Sequence, residues 1–412
     1  MHVLHILPYV PKPVSGSSVR DYNLIKYFSE LGVTSQVVCS LDCDLSTEEI
    51  SSLEKELGSK IYATKSPNLT NFKRASVLLS HQMYPRIYRY HTSKNVKFIS
   101  SVLQKGNFDI VNVSNLVVAG PALQAISDVS FEGCKVLSMH DVDYLSFINR
   151  IKLFNNPLER IARKLISGNL KTYEINTISK FEHLLVTSKI DKNIYLSLGV
   201  LSDNKITVIP NGVDCGSFNL NDNFDTFLEH PNILFMGSLS YQPNIDAVQV
   251  YIEEMHSIVK NEIPNVKFYI IGGHCPEWIK DYSKKDPSIC VLGFVDDVKP
   301  YIYSADVCIA PINAGSGTRL KILEYMAMSK PVVSTTIGSE GLDVINSQNI
   351  LITDDWNEFA FNIVNLITNY NIARKIGNSG RELVEEKYDW KKIAKKQVSI
   401  YEKLLRETHE KY

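Results

Sequence analysis

The sequence predicts an α/β protein built from two doubly wound, parallel-sheet domains. Three observations carry that expectation. An apolar run, a small-residue loop, a helical repeat and a second apolar run follow one another within the first 40 residues. The same order recurs between Val307 and Thr335. An Asn-Gly turn at Asn211-Gly212, followed by a polar stretch from Asn219 to His230, separates the halves. Alternating strand and helix patterns of this kind lead to parallel sheets covered by helices, and 412 residues suffice for two to three domains.

Bulk composition narrows the class. Hydrophobic residues make up 44% and charged residues 22%, as in ordinary globular proteins, and the net charge of −1 demands no polyanionic partner. The opening MHVLHILPYVPKP reads as a first strand and a Pro-rich loop, without the charged region, apolar core and cleavage site of a leader. No apolar run approaches the ~18–20 residues of a membrane span. Seven scattered cysteines without CxxC pairs suggest reduced thiols in a cytoplasm. Cys39 and Cys43 lie four apart, but the partners needed for a metal site are not evident, so no metal is expected.

The first half runs as follows. Val3 to Leu7 is the first strand. Ser15 to Ser18 forms a small-residue loop, and Val19, Tyr22, Leu24, Ile25, Tyr27, Phe28 and Leu31 repeat at helical spacing until Gly32. Ser17 or Ser18 can cap that helix. Gln36 to Ser40 is the second strand. Between Glu56 and Asp109 no acidic residue occurs, while Lys60, Lys65, Lys73, Arg74, Arg86, Arg89, Lys94, Lys97 and Lys105 fall among aromatics. A second basic cluster runs from Arg150 to Lys171. Such stretches are either solvated faces of packed helices or surfaces for an anionic membrane. Strands at Asp109 to Val113 and Cys134 to Met139 follow. The latter ends in His140-Asp141-Val142-Asp143, and polar residues at the carboxyl end of a parallel strand line a ligand crevice. Phe181 to Ser188 and Ile206 to Pro210 complete this half.

In the second half, Asn232 to Leu239 is a strand whose Gly237 lets a phosphate approach the backbone. Lys267 to Gly273 and Ile289 to Val295 are further strands. Val307 to Pro311 is another, followed by the loop Gly315, Ser316, Gly317 and Thr318. Leu320, Ile322, Leu323, Met326 and Ala327 recur at helical spacing, which predicts a helix from near Thr318 with Glu324 about two turns in. A glycine-rich turn feeding a helix start suits a phosphate, and Arg319 and Lys321 add cations there. A carboxylate at Glu324 can accept hydrogen bonds from sugar or ribose hydroxyls. Asn349 to Thr353 is the last strand, and Glu382 to Tyr412 is helical with Lys391, Lys392, Lys395 and Lys396 on one side.

The segment from the glycine loop through Leu323-Glu324-Tyr325-Met326-Ala327 to the Pro-Val-Val strand resembles the donor-binding segment of retaining family-4 glycosyltransferases of the GT-B fold, group 1. The resemblance extends over nearly the whole chain, and Asn211-Gly212-Val213-Asp214 resembles the junction between the two domains of that family. It implies an acceptor-side domain over residues 1–211, joined by a returning helix at 390–412, and a donor domain over 212–389, the two facing across a cleft. It also implies transfer of a sugar, with retention and without metal, from a nucleotide sugar linked to UDP or GDP. The acceptor would be a saccharide or a lipid-linked hydroxyl in cell-surface polysaccharide or glycolipid synthesis. No cofactor beyond the donor is implied, nucleic acid is not a partner, and the working place is the cytoplasm with contact at the inner membrane face.

By the same resemblance, His140 and Asp141 face sugar and acceptor. Gly16, Gly237, Ser238, Gly293, Phe294, Val295, Gly315, Ser316, Gly317, Thr318, Leu323 and Glu324 surround the donor. The sequence departs from the family twice. The loop Ser238 to Asn244 lacks the usual basic pair, which leaves Arg319 and Lys321 to hold the diphosphate. Of the two glutamates usually eight apart, the first is replaced by Ser316. Alternatives are a sugar-nucleotide 2-epimerase of the same fold, for which Asp141, Asp143 and Glu340 are the available acids, and a non-catalytic nucleotide-binding protein. A dinucleotide oxidoreductase is disfavoured because neither half has G-x-G-x-x-G after its first strand.

Overall fold

The computed structural model describes residues 1–14, 16–41, 46–65, 70, 77, 85–151, 157–219, 222, 224–315 and 317–409. The chain divides into two compact units, Met1–Pro210 with Trp390–Tyr412, and Asn211–Asp389.

The first unit holds a seven-stranded sheet ordered β3-β2-β1-β4-β5-β6-β7, with every pairing parallel. Its strands are β1 (His2–Leu7), β2 (Thr34–Leu41), β3 (Lys60–Lys65), β4 (Ile110–Ser114), β5 (Cys134–Ser138), β6 (His183–Val186) and β7 (Ile206–Val208). The strands β4 and β6 are buried at every position, as expected of central strands of a parallel sheet covered on both faces, and their polar residues Asn112, Ser114 and His183 are buried with the rest. The first helix, Gly16–Glu30, begins one residue before the serine proposed as its cap. Ser18 does not cap it in that sense: its hydroxyl accepts from the Val14 amide behind it, at 3.3 Å. Against this helix packs the C-terminal helix Trp390–His409, whose Trp390, Ile393, Ala394 and Tyr401 join Val3, Phe28 and Ile110 in one cluster.

The second unit holds a six-stranded parallel sheet, β10-β9-β8-β11-β12-β13. It comprises β8 (Asn232–Met236), β9 (Lys267–Ile271), β10 (Ile289–Gly293), β11 (Val307–Ala310), β12 (Val332–Ser334) and β13 (Leu351–Ile352). The segment Glu382 to Tyr412 is not one helix. It breaks at Tyr388-Asp389, between the helices Tyr370–Lys387 and Trp390–His409. The break is held by pairing to the other end of the unit: Val213 bridges Asp389, and its amide donates to the Tyr388 carbonyl at 2.9 Å. The chain therefore enters and leaves this unit side by side.

In both sheets the winding direction reverses beside the unit's first strand, between β1 and β4 and between β8 and β11. At such reversals the helices on either side of the strand ends diverge and leave a crevice at the carboxyl ends.

Candidate active site

In the second unit the crevice lies beyond β8 and β11. The helix that follows the glycine loop starts at Leu320, two residues later than its apolar repeat suggests, and runs to Ala327. Gly315 and Gly317 have φ of +110° and +84°, and Arg319 is extended at φ −84°, ψ 92°, so the loop reaches further before the helix can wind. Glu324 is consequently one turn in, not two. Only glycine takes the Gly315 angle without strain. A Cβ there would also lie 2.9 Å from both Arg319 Nη2 and Tyr241 Oη.

Lys321 crosses from this helix to the end of β8. Its Nζ donates to Asn244 Oδ1 at 2.9 Å and stands 4.2 Å from the Phe235 ring centre. Asn244 in turn donates to the Ser238 carbonyl at 2.8 Å. A Cβ on Gly237 would meet Lys321 Nζ and Asn244 Nδ2 at 2.7 Å each, so a glycine at the strand end makes room for the ammonium. Tyr325 on the same helix accepts from the Met236 amide at 2.8 Å and ties helix to strand. Arg319 is buried, its Nη2 3.4 Å from the Ala314 carbonyl.

The charges in this cluster oppose burial. Burial first and Arg319 second lower Lys321 to about 7, against Glu324, which raises it. Burial raises Glu324 to about 7, partly countered by Lys321. An ammonium and a carboxylate one turn apart are both held near neutrality, poised for a ligand with the complementary groups. Ser238 and Phe294 are exposed, Phe294 by 77% at the end of β10, where its ring presents a bare aromatic face. Gly293 has φ +76°. Thr318 is half-buried and Val295 packs against the core. Leu323 is fully buried in the core. Ser316 lies outside the described residues.

In the first unit, the ends of β1, β4 and β5 bring together groups that the sequence keeps far apart. His140 is 8% exposed, and its Nε2 lies 2.9 Å from Ser114 Oγ and 3.8 Å from Asp21 Oδ1. Ser114 Oγ lies 3.0 and 2.9 Å from the two Asp21 oxygens, and Tyr9 donates to Asp21 Oδ2 at 2.7 Å. Thr187 holds the His140 carbonyl at 3.1 Å. Burial lowers the imidazole to about 4; Asp21 raises it, whereas Arg20 and Arg86 lower it. Asp141 is half-buried next to this cluster, and Gly16 is exposed at the first helix start. The side chain of Arg150 lies outside the described residues.

Three groups of this site escaped the sequence reading: Tyr9, Asp21 and Ser114. The available signals were a carboxylate among the apolar positions of the first helix and a hydroxyl at the carboxyl end of a buried strand. Asp143 and Glu340 are the other acids weighed for an epimerase. Asp143 opens the helix Asp143–Ile151, and Glu340 is exposed in the second unit.

Residues 14–217 match the family model described as Glycosyltransferase Family 4, and residues 230–369 match that of Glycosyl transferases group 1. Over 180 residues the chain is 31% identical to an uncharacterized 44.6 kDa protein of the cps region of Klebsiella pneumoniae, spanning 42% of this chain and 46% of that protein. The chain thus spans about half the length of that relative. It is 25% identical over 244 residues to the capsular polysaccharide biosynthesis glycosyltransferase CapM of Staphylococcus aureus, covering 56% of this chain and 61% of CapM. Among solved structures, a glycosyltransferase of Rickettsia africae is similar with a TM-score of 0.70 at 19% identity, each chain covered to 98%. HepE of Anabaena, solved with UDP-glucose, is similar with a TM-score of 0.62 at 14% identity, covering 97% of this chain and 99% of HepE. At these identities the structures establish the fold.

Proposed function

Because the chain belongs to the family-4, group 1 glycosyltransferases, we propose that it transfers a sugar from a nucleoside diphosphate sugar to a hydroxyl of a saccharide or lipid-linked acceptor, with retention at the anomeric carbon. The product would be a cell-surface polysaccharide or glycolipid, a reading supported by the capsular role in the name of CapM. The observation that carries the proposal is the position of Lys321 Nζ beside Gly237, with Arg319 at the glycine loop of the next strand. A diphosphate at this reversal meets two cations and the amides of a loop that opens a helix, which together neutralise the charge developing on the leaving group. A bound metal is not needed for that step. Glu324 receives ribose or sugar hydroxyls, and the exposed Phe294 stacks on the base. In the first unit, His140 serves the acceptor side. A donor phosphate oxygen takes the acceptor proton, so no carboxylate nucleophile is required.

The test uses the full chain with a panel of nucleotide sugars, ranked by thermal shift and then assayed for nucleoside diphosphate release with acceptor. Removing one preorganised cation typically costs about 10²–10³ in rate. Arg319→Ala and Lys321→Ala should each fall by that order, Arg319→Lys should recover only part because an ammonium cannot grip two oxygens in one plane, and Gln242→Ala should be unaffected. Normal rates in both alanine variants, or loss of activity with chelator, would refute this arrangement. Nucleoside diphosphate released without acceptor, alongside an inverted C2 centre, would instead identify an epimerase.

A further inference from the structure

His140, Ser114, Asp21 and Tyr9 form a chain in which the direction of each hydrogen bond can be assigned. Ser114 Oγ sits between two neighbours, the Asp21 carboxylate at 2.9–3.0 Å and His140 Nε2 at 2.9 Å. The hydroxyl has one hydrogen. A carboxylate only accepts, so if that hydrogen pointed at the imidazole, the Ser114 lone pairs would face the Asp21 oxygens with nothing between them. The hydroxyl therefore donates to Asp21. Tyr9 Oη donates to the same carboxylate at 2.7 Å, a second donor consistent with its being ionised. His140 Nε2 must then carry a hydrogen and donate to Ser114 Oγ. The other ring nitrogen, Nδ1, is buried and has no hydrogen-bond partner among the described residues. The charged groups acting on this ring are Asp21, Arg20 and Arg86, and burial outweighs them in favour of the neutral imidazole.

We propose that Asp21, acting through Ser114, locks His140 in the Nε2–H tautomer and so makes Nδ1 the hydrogen-bond acceptor that this site offers to a substrate hydroxyl. Asp21 and Ser114 are thus positioning residues. They lie in a helix and a strand that sequence alone does not connect, 93 residues apart. A sugar hydroxyl other than the attacking one, donating to Nδ1, is held in a single orientation, while the attacking hydroxyl keeps its hydrogen for the donor phosphate oxygen. That consequence rests on the function proposed above; the tautomer itself does not.

The substitution Asp21→Asn reverses the chain. The new side-chain oxygen can accept from Tyr9, while its amide donates to Ser114. The Ser114 hydrogen then turns to His140 Nε2, and the ring must carry its hydrogen on Nδ1. The experiment is long-range proton–nitrogen correlation NMR on the full chain labelled at histidine, at pH 7, with the His140 signals assigned by their loss in His140→Gln. The wild-type ring should show the Nε2–H pattern, and Asp21→Asn the Nδ1–H pattern. A wild-type Nδ1–H pattern overturns the proposal, as does an unchanged tautomer in a folded Asp21→Asn. If that variant does not fold, Ser114→Ala serves. With the lock removed its ring should show averaged signals of both tautomers, and a pure Nε2–H pattern there overturns the proposal too. In the transfer assay, Asp21→Asn should lower kcat roughly tenfold to a hundredfold with donor KM little changed. A flipped tautomer with normal kcat upholds the lock and removes His140 from the transfer reaction.

Discussion

Lys321 titrates near neutrality because its ammonium is buried next to Arg319, with only Glu324 to favour its charge. A bound diphosphate adds the counter-charge the site lacks. In the free protein at pH 8.5, well above the value of about 7, the amine is mostly neutral, whereas Glu324, also near 7, is already ionised. Binding a nucleoside diphosphate should therefore draw in close to one proton at Lys321, with no opposing release from Glu324. Calorimetry in two buffers of different ionisation enthalpy reads this directly. Affinity should weaken as pH rises from 7 to 9. In Lys321→Arg, whose guanidinium stays charged, both the proton uptake and that pH slope should vanish. Uptake that persists in the arginine variant would place the titrating group elsewhere.

At the scale of elements, the loop after β5 is fastened by a residue from another helix. Glu174, on the helix Pro157–Ile178, is fully buried and accepts from the amides of Asp143 and Tyr144 at 3.2 and 2.9 Å, the opening turn of the helix that follows His140. Tyr195 donates to it at 2.5 Å. Burial, and then the neighbouring Asp143, raise its carboxyl to about 8, against the pull of these donors. Between the unfolded value near 4.5 and about 8, the native state holds a proton that the unfolded chain has released. This group's contribution is thus greatest below pH 4.5 and is lost as pH rises through 8, by at most about 1.4 kcal/mol per unit. Glu174→Gln cannot titrate, so the stability of the wild type relative to it should decline between pH 5 and pH 8.5 in urea unfolding. A gap that stays constant over that range would contradict the assignment.

This element also marks what the sequence could reveal. Strands buried on both faces stand out as apolar runs, so β1, β4, β5, β8 and β11 were legible within a residue or three. The edge strand β3, KIYATK, has lysines at both ends and partial exposure, and gave no such signal. The candidate donor residues Gly315, Arg319, Lys321 and Glu324 could be grouped beforehand because they are neighbours in sequence. The partner of Lys321, Asn244, is 77 residues away and is brought in only by the pairing of β8 with β11. The His140 network is built the same way from four separate segments, which is why only its histidine and the adjoining Asp141 could be singled out beforehand.

At the scale of the whole molecule, two consequences can be tested. Among the described residues no helix is long and apolar enough to cross a membrane. The acid-free stretch up to Asp109 and the basic cluster at 150–171 lead to the expectation of a reversible contact with anionic lipid; residues 66–69, 71–76, 78–84 and 152–156 of these segments lie outside the described ones. With each surface cation worth about 1 kcal/mol near an anionic leaflet, the full chain should co-sediment with phosphatidylserine vesicles at low salt and be released at high salt; absence of binding at low salt removes the membrane from the account.

The second consequence follows from how the chain is cut into units. Asn211–Asp389 is continuous in sequence, carries its own core and has its two ends paired at Val213 and Asp389. Every residue proposed for the diphosphate, from Gly237 to Glu324, lies inside it. The first unit is discontinuous. Without residues 390–412 it loses Trp390, Ile393, Ala394 and Tyr401 from a cluster that includes Val3 and Phe28, leaving that apolar surface in water. A buried side chain of this size contributes about 2–3 kcal/mol by area alone, and several are lost together, which is comparable to the whole stability of a domain. The fragment 211–389 should therefore unfold cooperatively and bind nucleoside diphosphate in calorimetry, with the binding abolished by Lys321→Ala, while catalysing no transfer. The fragment 1–210 should not fold until the helix is restored by fusion of 390–412 to its end. A folded 211–389 that fails to bind the diphosphate would mean that the donor site draws essential groups from the first unit, and a stably folded 1–210 would mean that the returning helix is an appendage rather than part of its core.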